Sequence, residues 1–438
     1  MIKRGWLKQI RCLSKIRAAE SSTQANHIIS NKQQLYIADE TSPGSIFFLP
    51  HGTRIFNKLV QFMKNQQIKY GFQEVITPLM YKSKLWHKSG HWENYKDDMY
   101  KVIGNDLTKE DTEHEYGLKP MNCPGHCIIY SKFDRSYNEL PIRYSDFSSL
   151  HRNEASGALS GLTRVRRFHQ DDGHIFCRME QINKEIQNTI NLIKDTYKVF
   201  GLSNVEFTLS TRPEKFIGEV ETWNNAELQL ENVLNETTKD WVKREGEGAF
   251  YGPKIDILLT DQFSKKHQVG TIQLDFQLPK RFELKYTNEH DTKSQPIMIH
   301  RAVFGSLERF FAILLDHYQG KWPFWLNPRQ AMIISINEAH KNHAIELQKQ
   351  LSGEIINSDQ IAPLTGYNFN VDVDSRNETI GARTKEAIQK GYSYIILIGD
   401  KDIKNGTHAI RTRDDRKIQN LTTEEIYSLF ISLENSYK

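Results

Sequence analysis

Residues 150–177 read LHRNEASGALSGLTRVRRFHQDDGHIFC, the most informative stretch of this sequence. It concentrates arginines, carboxylates and histidines and has few aliphatic side chains. Buried charges must be paired and each costs several kcal/mol to desolvate, so a core strand would not use its positions this way. Arginines offer forked donors to phosphate, and carboxylates can hold an amine. The pattern favours a site for a phosphate-rich anion that carries an amine, with a solvated charged hairpin as the alternative.

Two further segments carry the same kind of information. LKPMNCPGH at 118–126 precedes this stretch, and MIHRAVFGSLERF at 298–310 follows it. The stretch at 150–177 resembles the second signature motif of class II aminoacyl-tRNA synthetases, in the form found in threonyl-tRNA synthetases. The other two segments match the same family in the same order, and the resemblance covers roughly residues 40 to 438.

The resemblance implies an α+β fold with three parts. We expect residues 1–35 to be a transit peptide and N-terminal extension, on composition, and residues 36–325 to be a catalytic domain with an antiparallel sheet flanked by helices. Residues 326–438 form an α/β anticodon-binding domain with a mixed sheet. The residues agree with this last boundary, because prolines and tryptophans at 322–330 precede short apolar strands that alternate with helices.

Bulk composition describes an ordinary soluble globular protein. Charged residues make up 26% and hydrophobic residues 38% of the 438 residues. No run of 18 apolar residues occurs, so no membrane span is expected. The four cysteines lack paired spacing, which favours a reducing compartment.

The first twenty residues carry six basic side chains and no acidic one before Glu20, with apolar residues at helical spacing. This pattern predicts a mitochondrial transit peptide and a place in the mitochondrial matrix. A basic RNA-binding arm is the alternative. Without these residues the net charge falls from +4 to −1, so binding of a polyanion would depend on local basic patches.

Candidate metal ligands occur in CPGHC (123–127) and HIFC (174–177). Neither has a second matching knuckle, so a closed structural zinc site is not supported. The resemblance instead selects Cys123, His174 and His300 as ligands of one Zn²⁺ per subunit. Three protein ligands leave room for the amine and the β-hydroxyl of threonine. A site that must bind a hydroxyl rejects an analogue lacking it by about 10⁴–10⁵, far better than an apolar pocket does.

The resemblance also implies the remaining site residues. For L-threonine these are Asp172 at the amine, with Gln170, Tyr251 and Gln273 nearby. ATP, with Mg²⁺, would bind Arg152 at the α-phosphate, Arg164 at the terminal phosphates, Arg309 on the other side, Phe168 against adenine and Glu154 at its amino group. Arg152, Arg309, Lys254 and His91 are the expected catalytic residues, His91 as a base toward a ribose hydroxyl. Contacts with tRNA(Thr) are expected from Lys401, Arg411 and Arg413.

The activity implied is ATP-dependent ligation of threonine to tRNA(Thr) through a threonyl-adenylate. A class II synthetase for proline or serine, or a non-catalytic synthetase-like RNA-binding protein, are the alternatives. FQEVITPLM at 72–80 reads as a strand and matches the family's first motif, which implies a homodimer. About 40 residues precede the catalytic region, too few for an editing domain, so measurable mischarging with serine is expected. Residues 83–100 are polar and aromatic, which predicts a loop at the active site.

Overall fold

The computed structural model describes residues 26–103, 115–238, 240–260, 266–353, 361 and 366–438. The predicted transit peptide at residues 1–20 lies outside the described residues. Two compact units are present. One contains residues 38–47 and 60–317, and the other contains residues 48–59 and 318–438 together with the described residues up to 37. Trp322 belongs to the second unit, where its indole is fully buried and donates to Gln33 Oε1 at 2.9 Å.

An eight-stranded sheet organises the larger unit. Its inner strands are antiparallel, whereas the strand at each edge runs parallel to its neighbour. The order across the sheet is Trp241–Arg244, Val205–Ser210, Lys254–Thr260, Lys266–Asp275, Ile297–Ala302, Asp172–Cys177, Ile142–Asp146 and Gln73–Glu74. Every residue of Ile297–Ala302 and Asp172–Cys177 is buried, so these two strands form the centre of the core.

Short strands extend this unit. One group pairs Tyr116–Leu118 with Met80–Lys82 and Lys101–Val102. Two pairs are Ser149–His151 with Arg167–His169, and Tyr286–Thr287 with Lys293–Ser294. Tyr36–Ala38 and Ile46–Phe48 are two more short strands of the chain, which are not confined to this unit.

The helices follow the apolar periodicity of the sequence. Ile182, Ile186, Ile190, Ile193 and Tyr197 are all fully buried on one face of the helix Ile182–Val199, as their spacing predicts. The helices are Pro50–Lys69, Ser83–Ser89, His91–Tyr95, Cys123–Ser131, Ile182–Val199, Val220–Thr237, Gln277–Arg281, Leu307–Tyr318, Lys341–Ser352, Ile380–Lys390, Asp400–Asn405 and Thr423–Asn435, and residues 26–33 are also helical.

The smaller unit has a five-stranded sheet in the order Val371–Asp374, Ala331–Ser335, Tyr394–Ile398, His408–Thr412 and Gln419–Leu421. The first three strands are parallel and the last two antiparallel. The mixed sheet and the α+β class are therefore confirmed. No helix within the described ranges has the length and apolar character needed to cross a bilayer.

Two local predictions differ from the structure. Residues 83–100 form two short helices and a 3₁₀ turn, because Trp86, Trp92 and Met99 bury their side chains in one apolar cluster. Within 72–80 only Gln73–Glu74 pairs with the large sheet. The backbone N–H of Thr77 instead donates to the carboxylate of Asp146 at 3.2 Å, which ends the ladder before Pro78.

Candidate active site

Cys123, His174 and His300 meet at the centre of the large sheet. His174 and His300 are directly opposite each other on neighbouring antiparallel strands, and Cys123 begins the helix Cys123–Ser131. One ligand atom from each of the three lies within 4.8 Å of the others. The structure thus brings together three residues that are far apart in sequence.

The chemistry of this trio fits Zn²⁺. Zinc–nitrogen distances of about 2.1 Å and zinc–sulfur distances of about 2.3 Å separate ligand atoms by roughly 3–4 Å, and His174 Nε2 lies 3.1 Å from His300 Nδ1. Burial raises the pKa of the Cys123 thiol well above its usual range, and the carboxylates of Asp172 and Asp275 raise it further. A nearby divalent cation is what would favour the thiolate in such a place.

Each of these two histidines has a polar partner at the ring nitrogen that does not face the other histidine. His300 Nε2 lies 2.8 Å from the Asp275 carboxylate, and His174 Nδ1 lies 2.7 Å from His126 Nδ1. Burial lowers the pKa of His174 well below its usual range, so the ring is neutral and has a lone pair to offer. The nitrogens that face each other, His174 Nε2 and His300 Nδ1, are therefore the candidate ligand atoms.

Side chains expected around threonine surround this trio. Gln273 is directly opposite His300, and Lys254 is directly opposite Gln273. Directly opposed residues project to the same face of a sheet, so these side chains form a row beside His174. The ring centroid of Tyr251 lies 5.9 Å from that of His300.

Asp172 begins the same strand as His174 and is buried. Its Oδ2 accepts a hydrogen bond from Asn122 Nδ2 at 2.8 Å. Burial raises the pKa of this carboxyl, although the Asn122 hydrogen bond acts in the opposite direction. An ammonium group beside Asp172 would favour the ionised carboxylate, which suits it to the substrate amine. Asn122 is not among the residues predicted from the sequence. Its position directly before the predicted ligand Cys123 could have indicated a role in the site.

A cavity of about 720 Å³ lies over the neighbouring part of the sheet. Six predicted residues line it, namely Arg152, Glu154, Arg164, Phe168, Gln170 and Arg309. Gln170 therefore faces this cavity, and its backbone bridges to Ser306. Lys266, Gln268 and Thr271 also line the cavity and were missed, because an alternating strand does not reveal which face is functional.

The cationic side chains of the cavity differ in their partners. Arg164 Nη2 forms an ion pair with Glu154 Oε2 at 2.8 Å, so these two predicted nucleotide ligands hold each other. The Arg152 guanidinium lies 5.0 Å from the centroid of the Phe168 ring. In the part of the chain that the structure describes, the Arg309 guanidinium has no hydrogen-bond partner, and burial lowers its pKa. Arg309 is thus a mostly buried cation available to an anion in the cavity.

Two glycines of this region lie so close to neighbouring groups that a larger residue would not fit. Gly305 has φ +69°, and a Cβ there would lie 2.3 Å from Val269 O. The turn before the helix Leu307–Tyr318 therefore depends on glycine. Gly173, in the strand Asp172–Cys177, also has no room for a side chain, because a Cβ there would lie 2.4 Å from Arg301 Nε.

His91, the expected base, is buried at the start of the helix His91–Tyr95. Its Nδ1 lies 2.7 Å from Ser89 Oγ. Burial, together with the charge of His300, lowers the pKa of His91 to about 4 although Asp275 opposes the shift. The ring is therefore neutral at physiological pH, the form that can accept a proton.

The residues predicted to contact tRNA lie on the smaller unit. Lys401 is exposed on the helix Asp400–Asn405, and Arg411 is half-buried on the strand His408–Thr412. Arg413 follows that strand and donates to the backbone carbonyls of Trp322 at 2.9 Å and Gly391 at 3.4 Å. The Arg413 guanidinium is thus held by protein acceptors.

Comparisons with known proteins show the family to which this chain is similar. Residues 100–318 match the family model described as tRNA synthetase class II core domain (G, H, P, S and T), and residues 330–433 match that of the anticodon binding domain. Threonine–tRNA ligase, mitochondrial, of Saccharomyces cerevisiae (strain ATCC 204508 / S288c) is 54% identical, over 96% of this chain and 94% of that protein.

A second curated protein and a solved structure are also similar to this chain. Probable threonine–tRNA ligase, mitochondrial, of Schizosaccharomyces pombe (strain 972 / ATCC 24843) is 46% identical, over 97% of this chain and 92% of that protein. A crystal structure described as the RNA binding domain of threonyl-tRNA synthetase from Cryptosporidium parvum Iowa II has a TM-score of 0.86 at 41% identity. That similarity covers 93% of this chain and 98% of the other.

Proposed function

This chain belongs to the threonyl-tRNA synthetases of class II, and from that premise we propose that it joins threonine to tRNA(Thr) through a threonyl-adenylate. In this proposal Cys123, His174 and His300 hold a zinc ion that selects the amino acid. The single observation that supports it best is the convergence of these three side chains within 4.8 Å, beside the carboxylate of Asp172.

Selection of threonine follows from the groups around the trio. A bound zinc ion would supply an open coordination position for the amine and the β-hydroxyl of threonine. Asp172 would neutralise the ammonium group, and Gln170, Tyr251 and Gln273 would contact the rest of the amino acid. Valine lacks the hydroxyl, and a site built to bind that group rejects such an analogue strongly.

Activation requires attack of the threonine carboxylate on the α-phosphorus of ATP with departure of pyrophosphate. Arg152 would hold the α-phosphate and Arg309 would stabilise charge on the phosphate oxygens, because a fixed cation in a buried site costs no reorganisation. Arg164 would leave Glu154 for the terminal phosphates of MgATP, which frees the carboxylate for the adenine amino group. Phe168 would supply the stacking surface for the base.

The transfer step places threonine on the terminal ribose of tRNA. His91 would accept the proton of the ribose hydroxyl through its neutral ring. Lys254, in the same row as Gln273, would stabilise negative charge near the reacting carbonyl. Lys401 and Arg411 of the smaller unit would contact the anticodon region, and Arg413 would do so only after leaving its carbonyl partners.

A homodimer through residues 72–80 is part of this proposal. The strand Gln73–Glu74 lies at the edge of the eight-stranded sheet. Just beyond it Ile76, Leu79 and Met80 are 88%, 46% and 44% exposed. An apolar group of this kind beside an unpaired sheet edge is typical of an association surface.

The mitochondrial matrix is the site of action. The relatives in Saccharomyces cerevisiae and Schizosaccharomyces pombe carry mitochondrial names, and the basic, acid-free residues 1–19 have the composition of a transit peptide.

Amino-acid-dependent pyrophosphate exchange tests the proposal. Threonine should support exchange far better than the other amino acids, and the purified protein should contain one zinc ion per subunit. Cys123→Ala should lose zinc and threonine-dependent exchange together. Cys127→Ala, which alters a buried thiol on the same helix, should retain both. A zinc-free Cys123→Ala protein with full exchange would overturn the role of zinc, and exchange driven by proline alone would overturn the choice of substrate.

A further inference from the structure

His126 lies directly behind the candidate metal ligands. It is fully buried on the helix that Cys123 begins, and the spacing of three residues puts both side chains on one face of that helix. Its Nδ1 is 2.7 Å from His174 Nδ1, and the two ring centroids are 4.6 Å apart at an interplanar angle of 87°. His126 therefore contacts the ring nitrogen of His174 that faces away from His300.

We propose that His126 is a positioning residue, which accepts the Nδ1 proton of His174 and so leaves the Nε2 lone pair of His174 free for the metal. The inference rests on the proposed zinc site. It adds that His126 sets the orientation and tautomer of His174, as the carboxylate of Asp275 does for His300.

The hydrogen-bond directions support this assignment. A carboxylate only accepts, so the 2.8 Å contact with Asp275 requires the His300 proton on Nε2 and leaves Nδ1 as an acceptor. His300 Nδ1, with its lone pair free, faces His174 Nε2 at 3.1 Å, and Nε2 can be a second ligand atom only when the single proton of the neutral His174 ring is on Nδ1.

A histidine that binds a cation through Nε2 carries its ring proton on Nδ1. For His174 this proton faces His126 Nδ1, the group within hydrogen-bond distance. His126 accepts it only when its own ring proton is on Nε2.

The Asp146 carboxylate lies on the Nε2 side of the His126 ring. Its Oδ2 lies 3.9 Å from His126 Nε2, which is buried and has no hydrogen-bond partner among the described residues. Thr77 Oγ1 donates to the same oxygen at 2.6 Å, and Lys119 Nζ is 3.6 Å away. Burial alone would raise the pKa of Asp146, but His126, Thr77 and Lys119 outweigh burial and lower the pKa to about 2. An ionised carboxylate thus lies close to His126 Nε2 and favours a proton on that nitrogen.

Direct zinc measurements on the full-length protein test this inference. His126→Leu keeps a buried side chain of similar size but provides no acceptor, whereas His126→Asn places an amide oxygen near the former Nδ1. We expect His126→Leu to weaken zinc binding about 10–100-fold in competition with a chromophoric chelator, as loss of an outer partner usually does. His126→Asn should recover part of that loss. The KM for threonine should rise in His126→Leu, and the KM for ATP should stay unchanged.

Controls separate the possible failures. Cys127→Ala disturbs the packing of the same helix without touching His174, so its zinc affinity should equal that of the parent protein. Equal zinc affinity in the parent and His126→Leu would overturn this inference and leave the proposed function intact. A parent protein that binds no zinc would overturn the proposed function. If His126→Leu does not fold, the inference stands or falls with His126→Asn, and a zinc affinity in His126→Asn as low as that of Cys123→Ala would overturn it.

Discussion

His174 and His300 are cross-strand partners at the centre of the sheet, with 3.1 Å between Nε2 of one and Nδ1 of the other. His300 is also directly opposite Gln273 on the next strand, and Gln273 is directly opposite Lys254 on the strand after that. One straight row of side chains thus leads from the candidate zinc ligands to the lysine expected at the reacting carbonyl. In the proposed function, the amino acid is selected and activated along this row.

The buried pair Asp171–Arg301 should stabilise the core under this row. Both side chains are fully buried, and Asp171 also accepts the backbone N–H groups of Val303 and Phe304. Asp171→Ala leaves the Arg301 charge without its partner, which should lower the free energy of unfolding by about 3–5 kcal/mol. Denaturant titration measures this loss. Glu231→Ala, which breaks an exposed pair with Lys243, should change it by less than about 1 kcal/mol. Equal effects of the two substitutions would contradict the prediction.

Arg309→Ala should slow formation of the adenylate by about 10²–10³. The reason is that the guanidinium is mostly buried, faces the 720 Å³ cavity and has no hydrogen-bond partner in the described residues. Pyrophosphate exchange provides the rate, and the thermal unfolding midpoint should not fall because no internal contact is lost. Arg244→Ala, at an exposed position outside the cavity, is the control. Unchanged exchange in Arg309→Ala would remove this residue from the mechanism.

Serine should be activated measurably, whereas valine should not. Serine retains the amine and the hydroxyl and lacks only a methyl group, which is worth about 1–3 kcal/mol, so exchange should fall by about 10–200-fold. Valine lacks the hydroxyl, and its kcat/KM should be lower by about 10⁴–10⁵. The ratio of kcat/KM values for the three amino acids checks both statements. Serine and valine rejected to the same extent would argue against selection through the hydroxyl.

The transfer of threonine to tRNA should be nearly independent of pH between about pH 5 and pH 8. The pKa of His91 is lowered to about 4, so its ring becomes protonated, and the base is lost, only as the pH falls through that value. Single-turnover transfer from preformed adenylate gives the rate. A decline centred on the ordinary histidine pKa would show that His91 is not the base in this buried form.

His91→Ala provides the matching substitution. It should slow transfer by about 10²–10⁴, the usual contribution of a general base, and leave pyrophosphate exchange unchanged. His87→Ala lies on the preceding helix with its ring more than half exposed, so it should affect neither step.

Charges placed beside the sheet edge should separate the dimer. Ile76→Asp combined with Leu79→Asp puts two carboxylates into the exposed apolar group next to Gln73–Glu74, and burying them at an interface would be costly. Light scattering should give the mass of one chain for this variant and of two chains for the parent. Ile418→Asp alters an exposed isoleucine on the smaller unit and should keep the parent mass. A dimer that survives the double substitution would place the interface elsewhere.

Much of this architecture could be predicted from local sequence. The spacing of Ile182, Ile186 and Ile190 determines a helix with one buried face, because apolar side chains at that spacing share a side whatever they pack against. The short apolar runs after residue 330 likewise become the strands of a mixed sheet. Residues 83–100 were mispredicted, since their tryptophans form a cluster that polar composition conceals.

The amino-acid sequence specifies which chemical groups are available, namely a thiol, two imidazoles and the arginines of the cavity. Their partners, and through burial their pKa values, depend on the tertiary structure. His126 stands behind His174, Arg164 holds Glu154, and Arg413 is occupied by backbone carbonyls. The physical reason is that such distances depend on the register of antiparallel strands and on helix packing. A shift of one residue in register would turn His174 away from His300, and no local pattern in either segment specifies that register.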